Sequence, residues 1–194
     1  TPGTEYTVTV AAKNTGRLEA KSDTLKFTTP KKMEGYFEAD FEDAKADAFE
    51  MTKPEFWKVE NDATSKSMAL MLSKTEGVRN LAMYKGFDYG DFTLRSKART
   101  FEGDGNKWRD YCVAFGYVEA KNNYMVGFNS SVDESPPGIL RVKDGKEESI
   151  GRRINTVTIP DRAWHNIEVT RKGSKIQVFW EGALCFEADD ATFG

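Results

Sequence analysis

Three carboxylates alternate with other residues early in the chain. Glu38, Asp40 and Glu42 form the spacing ExDxE. The alternation over residues 36–41 predicts a β-strand, and successive side chains of a strand point to opposite faces, so all three carboxylates would share one face. Two carboxyl groups held about 5–5.5 Å apart can act as nucleophile and general acid in retaining glycoside hydrolysis. The alternative is a charged, solvent-facing side of an edge strand, with the intervening apolar residues turned inward.

A second group of residues has the chemistry needed to bind a saccharide without breaking it. Aromatic rings stack on sugar faces, and arginine and asparagine side chains form hydrogen bonds with hydroxyl groups. We predict that such residues from four predicted strands and their connections share one binding face. They are Arg95, Trp108, Tyr117, Asn123, Tyr124, Asn129 and Arg141. For each residue taken alone, the alternative is a core or rim side chain with a satisfied polar group.

The clearest structural signal lies in residues 164–188. Apolar residues alternate with polar ones, and Gly173 and Gly182 lie in short turns between the alternating runs, which predicts three antiparallel strands. Further short strands are predicted at residues 36–41, 57–60, 67–73, 92–100, 111–119, 123–129, 138–142 and 155–158. Residues 42–56 have room for one helical turn before Pro54. Many short strands without a long helix indicate an all-β, two-sheet antiparallel sandwich.

Residues 1–30 have a pattern of their own. The strings PGTEYTVTVAAKNTG and SDTLKFTTP resemble the last two strands of a fibronectin type III domain, in which Tyr6 would be the corner tyrosine. Two strands alone are marginally stable, so this hairpin is expected to pack against the following domain, a neighbouring chain or upstream sequence. Residues 31–35 are the predicted linker, and 36–194 the second domain.

The order of motifs in residues 36–194 resembles a known family of sandwiches. FEADFED, FWKVEND, DFTLRSKART, YCVAFGYVEAKNNYMVGFN, GILRVKDG and WHNIEVTRKGSKIQVFWEG follow one another as in concanavalin A-like and laminin-G-like jelly rolls of secreted bacterial proteins. The resemblance implies an extracellular or cell-surface module that binds a polysaccharide or other glycan. It also implies one structural calcium ion near the start of the domain, with Glu42 and Asp43 as candidate ligands.

The same resemblance bears on catalysis and on assembly. Laminarinase-type hydrolases carry ExDxE mid-chain on a central strand, whereas here it opens the domain, so we assign no catalytic residue and keep a glycoside hydrolase as an alternative function. The family's last strands have no counterpart before Gly194. Residues 1–30, another protomer or further sequence would then fill the sheet. Strand exchange between chains, giving a structural module, is the second alternative.

The composition excludes several functional classes. With 28 basic and 31 acidic residues among 194, the net charge of −3 gives no electrostatic case for nucleic-acid binding. No apolar run is long enough to span a membrane. His165 is the single histidine, which argues against a zinc enzyme. Cys112 and Cys185 are far apart in sequence, and either a disulfide or two buried thiols fits them.

Overall fold

A computed structural model provides the three-dimensional structure of this chain. It describes residues 5–13, 19–28, 35–74, 79–86, 89–100, 110–128, 138–157, 159 and 162–193. The chain divides into two compact units, Thr1–Asp88 and Tyr89–Gly194. The predicted boundary at residues 31–35 is a different division and stays a prediction.

The first unit consists of short paired strands. They are β1 Glu5–Val8, β2 Ala11–Lys13, β3 Glu19–Lys21, β4 Leu25–Thr28, β5 Phe49–Met51, β6 Trp57–Asp62, β7 Ser67–Leu72 and β8 Ala82–Tyr84. β1 pairs with β4 and β2 with β3, and Val10 and Ser22 are hydrogen-bonded between the two pairs, which makes one long interrupted ribbon. β6 pairs with β7, and β5 pairs with β8. A short 3-10 helix, Pro54–Phe56, leads into β6.

The second unit is a sandwich of two antiparallel sheets. Its strands are β9 Phe92–Ala98, β10 Tyr111–Glu119, β11 Asn122–Phe128, β12 Gly138–Lys143, β13 Lys146–Ser149, β14 Arg152–Arg153, β15 His165–Lys172, β16 Lys175–Trp180 and β17 Ala183–Asp189. One sheet has four strands in the order β10-β11-β12-β13. The other has five, in the order β14-β17-β16-β15-β9.

Turn chemistry explains the tight connections of these sheets. Asp144-Gly145 joins β12 to β13, and Glu181-Gly182 joins β16 to β17; all four residues have positive φ, as a type I′ turn requires. Its twist matches that of the strands it connects, and glycine adopts positive φ without steric strain. These turns set the register of both hairpins.

One apolar cluster fills the space between the two sheets. β11 contributes Val126 and Phe128, β15 Val169, β16 Val178 and β17 Phe186, and each of these side chains is at most 1% exposed. Their spacing of two residues along each strand follows the alternation in the sequence. The predicted all-β, two-sheet antiparallel jelly-roll sandwich is therefore confirmed.

Two predicted strands are wrong. Residues 35–41 form no strand, because Phe41 has a φ of +60° and Asp40 accepts a hydrogen bond from the Glu42 amide, which bends the chain there. Asn155 does not begin a strand either; its amide and that of Ile154 both donate to the carbonyl of Cys185. Two short strands, β13 and β14, precede this segment. Among the described helices, none is long and apolar enough to cross a membrane.

Candidate ligand-binding site

The structure separates the residues predicted to share one saccharide-binding face. Arg95 lies on β9 of the five-stranded sheet, whereas Tyr117, Asn123, Tyr124 and Arg141 lie on strands of the four-stranded sheet. The expected single face for all of them is therefore wrong. Two further predicted members, Trp108 and Asn129, lie outside the described residues.

Tyr124 is a core residue and not a stacking platform. Its side chain is 0% exposed and its ring stacks on that of Phe115 at 5.2 Å between centroids. The hydroxyl donates a hydrogen bond to Oδ1 of Asp190 and accepts one from the Phe193 amide at 3.2 Å. A fully buried ring has no face to offer a sugar, so the predicted stacking role of Tyr124 is wrong.

Arg141 belongs to the same polar cluster as Tyr124. Its guanidinium donates to Oδ2 of Asp190 at 2.5 Å, to Oγ1 of Thr192 at 3.1 Å and to Oε2 of Glu148 at 2.6 Å. Burial alone would raise the pKa of Asp190, but hydrogen bonds from Tyr124 and Thr192 and the attraction of Arg141 outweigh it and hold the pKa below its usual range. The cluster anchors residues 190–193 to the four-stranded sheet.

Tyr117 lies in an irregular part of β10, and Asn123 has a local structural role. A β-bulge lies between Phe115 and Glu119, so side chains do not alternate regularly at Tyr117. Asn123 is 3% exposed, and its side-chain amide donates to the carbonyls of Glu119 and Ala120 at 3.1 and 3.2 Å. Saccharide binding by Tyr117, Asn123 or Arg141 stays a prediction.

The ExDxE carboxylates do not have the arrangement that strand alternation predicts. Glu38 accepts a hydrogen bond from the Tyr36 hydroxyl at 2.7 Å, and Asp40 caps the amide of Glu42. Glu42 accepts from Oγ of Ser67 at 2.5 Å and from the Met68 amide at 3.0 Å, which ties it to the start of β7. Because the segment is not a strand, the geometric basis of the hydrolase alternative is absent.

The predicted calcium ligands have hydrogen-bond partners of their own. Glu42 Oε1 accepts hydrogen bonds from Ser67 and Met68 of β7. Asp43 Oδ1 accepts a hydrogen bond from the Lys45 amide at 3.0 Å. Within the described residues, no group of three acidic, histidine or cysteine side chains is placed to hold a metal ion. Calcium binding through Glu42 and Asp43 stays a prediction, and we assign it no role in ligand binding.

The two cysteines lie in different surroundings. Cys112 is exposed on β10 of the four-stranded sheet, whereas Cys185 is buried on β17 of the five-stranded sheet. No disulfide joins them. Burial raises the pKa of the Cys185 thiol. The structure therefore shows neither a disulfide nor two buried thiols, because Cys112 is exposed.

The structure places an open groove in the first unit that the sequence patterns did not indicate. Its volume is about 500 Å³. Apolar residues form its floor and walls, and charged residues stand at its rim. The groove, called the Trp57 groove below, is lined chiefly by Phe49, Met51, Trp57, Val59 and Leu70, with Asp47, Lys58 and Lys85 as its charged members.

Local structure holds Trp57 in place within this groove. The indole N–H donates to the Thr52 carbonyl at 3.2 Å, and the Thr52 amide donates to the Leu81 carbonyl at 2.9 Å. Trp57, Val59 and Leu70 share one face of the β6–β7 hairpin, because Val59 is the register partner of Leu70. Trp57 is half-buried, so part of its ring stays accessible. The groove thus combines a fixed aromatic ring with charged donors and acceptors.

The comparisons with known proteins are few. No family model matches the chain, and no curated protein matches it. A solved structure that matches is the carbohydrate-binding module CBM66 from Bacillus subtilis, at 19% sequence identity and a TM-score of 0.47, over 59% of this chain. The match spans 66% of that module's length. At this similarity we draw nothing from it about what this chain binds.

Proposed function

We propose that this chain is a non-catalytic glycan-binding or adhesion module, and that the Trp57 groove holds the saccharide. The observation that carries the proposal is a half-buried tryptophan held in an open groove beside Asp47 and Lys85. A sugar ring has an apolar C–H face and a rim of hydroxyl groups. The indole would stack on the first, while the carboxylate and ammonium groups would bind the second.

The electrostatics of the rim suit hydroxyl groups. Lys58 alternates with Trp57 and Val59 on β6, and its ammonium lies 2.7 Å from a carboxylate oxygen of Glu60 on the opposite face of the hairpin, so we assign it no contact with the ligand. Lys85 and Asp47 are exposed at the rim and have opposite charges. Such a rim supplies donors and acceptors without a strong net field. The proposal is one of binding and includes no bond breaking.

A glycan array tests the proposal. Wild type is expected to bind at least one polysaccharide class, and Trp57→Ala is expected to weaken that binding about tenfold or more, because a stacked aromatic ring is lost. Tyr36→Ala is the matched control, since Tyr36 is 86% exposed in the same unit and does not line the groove. Equal losses in both variants, or no binding by wild type, would contradict the proposal. Thermal unfolding establishes that both variants are folded.

A second candidate function is assembly through the N-terminal ribbon. Its register places Tyr6, Val8 and Leu25 on one face, and these side chains are 36%, 42% and 64% exposed. The opposite face carries polar residues, including Glu5 and Lys26. An uncovered apolar face on a two-stranded ribbon favours association with another sheet. A second copy of the chain, pairing strands or faces, would cover it.

Light scattering at rising protein concentration tests the assembly candidate. Wild type is expected to form a concentration-dependent dimer, and Val8→Lys is expected to shift the population toward monomer, since a buried lysine is unfavourable at such an interface. Thr7→Lys places the same charge on the polar face of the ribbon and is expected to leave the dimer intact. A wild type that stays monomeric at every concentration would rule this candidate out.

We also propose that the module works outside the cell, within a longer protein that contains fibronectin type III domains. The two resemblances support this setting, as does the antiparallel pairing of β1 with β4. Recovery of the parent protein from the medium or cell surface would agree with it. Confinement of the protein to the cytosol would contradict it.

A further inference from the structure

The outer face of the five-stranded sheet has an excess of cations in a chain whose net charge is −3. Side chains that alternate with the core residues of β9, β15, β16 and β17 point to this face. It has three carboxylates, Glu168, Glu187 and Asp189. The same face has five cations, and we call it the cationic face. They are Arg95, Lys97, Arg152, Lys172 and Lys175.

Ion pairs hold the two arginines across the surface of the sheet. Arg95 Nε lies 2.7 Å from Oε2 of Glu168, and Arg152 Nη2 lies 2.5 Å from Oε1 of Glu187. The arginine side chains are 75% and 74% exposed, whereas the glutamates are 29% and 26% exposed. These two glutamates are therefore more buried than the arginines they pair with, whereas Asp189 is exposed. Arg95 bonds Glu168 through its Nε, so its terminal nitrogens can reach a ligand.

The sheet fixes the spacing of these arginines. Arg95 is on β9, at one edge, and Arg152 is on β14, at the other, so four strand spacings of about 4.8 Å, roughly 19 Å in all, separate them. Gln177 and Phe179 lie between them on β16. A shallow depression of about 420 Å³ is lined by Arg152 and Lys175 together with the carboxylates Glu187 and Asp189. This surface suits an extended ligand better than a small one.

We propose that the cationic face binds an anionic polysaccharide, one that carries carboxylate or sulfate groups along its length. Charge complementarity carries the assignment, since cations outnumber carboxylates five to three on this face and Glu168 and Glu187 are less exposed than the arginines they pair with. Planar guanidinium groups match the geometry of carboxylate and sulfate, and the flat sheet between them accommodates sugar rings. This site is separate from the Trp57 groove and does not depend on it.

Binding of polygalacturonate, chondroitin sulfate and neutral dextran to the full chain at low ionic strength tests this proposal. Wild type is expected to bind at least one of the two anionic polymers and not dextran, with an affinity that falls as salt is added. Arg95→Gln/Arg152→Gln is expected to weaken binding about tenfold or more. The matched control is Lys143→Gln/Lys146→Gln, which lowers the net charge equally on the other sheet and is expected to keep the wild-type affinity.

Three results would overturn the proposal. One is that both double variants weaken polysaccharide binding equally, which would mean that the net charge of the chain alone determines the affinity. Another is failure of wild type to bind either anionic polymer. The third is competition by duplex DNA as effective as that of the polysaccharide itself, which would identify a general polyanion surface. Trp57→Ala is expected to retain anionic polymer binding, so failure of the groove proposal and failure of this one are distinguishable.

Discussion

Replacing Phe186 with alanine is expected to lower the free energy of unfolding of the second unit by about 3–5 kcal/mol. Phe186 is 1% exposed, lies opposite Val178 in the register and belongs to the cluster between the sheets. Removing its ring loses apolar burial and leaves a cavity that the close-packed neighbours fill only in part. Urea unfolding monitored by circular dichroism measures the loss.

The matched control for Phe186 is Phe179, on the outer face of the neighbouring strand. Phe179 is half-buried, so Phe179→Ala is expected to lose about 1–2 kcal/mol, well under the loss at Phe186. A one-residue slip of the strand register would exchange the two faces and reverse this order. Equal losses, or a larger loss at Phe179, would show that the register of β16 and β17 is wrong.

Replacing Asp190 with alanine is expected to be the next most damaging change, at about 2–4 kcal/mol. The Asp190 side chain is 11% exposed and accepts hydrogen bonds from the Tyr124 hydroxyl, the Arg141 guanidinium and the Thr192 amide. Its removal leaves a buried hydroxyl and a largely buried cation without their main acceptor. Thermal or urea unfolding measures the effect. Glu148→Ala is the control.

The control separates the buried acceptor of Arg141 from its exposed one. Glu148 is 63% exposed, so solvent screens its attraction to Arg141, and a far smaller loss is expected. The pH dependence adds a second readout. Because the pKa of Asp190 is lower in the folded chain than its ordinary value, its contribution is complete above about pH 4 and is lost as the pH falls further. The advantage of wild type over Asp190→Ala should therefore shrink in acid. An advantage that is unchanged down to about pH 2 would contradict this account.

The strands were predictable wherever alternation and turn residues agreed. In the meander β15–β17, apolar residues recur at every second position and Gly173 and Gly182 have positive φ at the turns, so local sequence determines the pairing. The false strand at residues 36–41 shows the limit of this reasoning. Phe37 and Phe41 are part of the apolar alternation that predicted this strand. Their rings both contact that of Phe49, and a loop can place them there as well as a strand can.

The site was less predictable than the fold because its determinants are contacts between distant residues. Tyr124 resembles a rim aromatic in sequence, but Asp190, 66 positions later, satisfies its hydroxyl and allows it to be buried. Trp57 lies in a predicted strand, and no motif around it indicates a groove. What makes it accessible is the arrangement of β5 beside the β6–β7 hairpin, which no short motif encodes.

The most direct test of the central claim is a nuclear magnetic resonance titration of the chain, labelled with nitrogen-15, with an oligosaccharide selected on the array. The Trp57 indole signal is assigned by its absence in Trp57→Phe. We predict that this signal shifts and saturates with added saccharide, while those of Trp164 and Trp180 stay in place, since Trp180 packs against Phe128 and His165 in the core. A Trp57 signal that does not move while the saccharide binds would contradict the assignment of the groove as the glycan site.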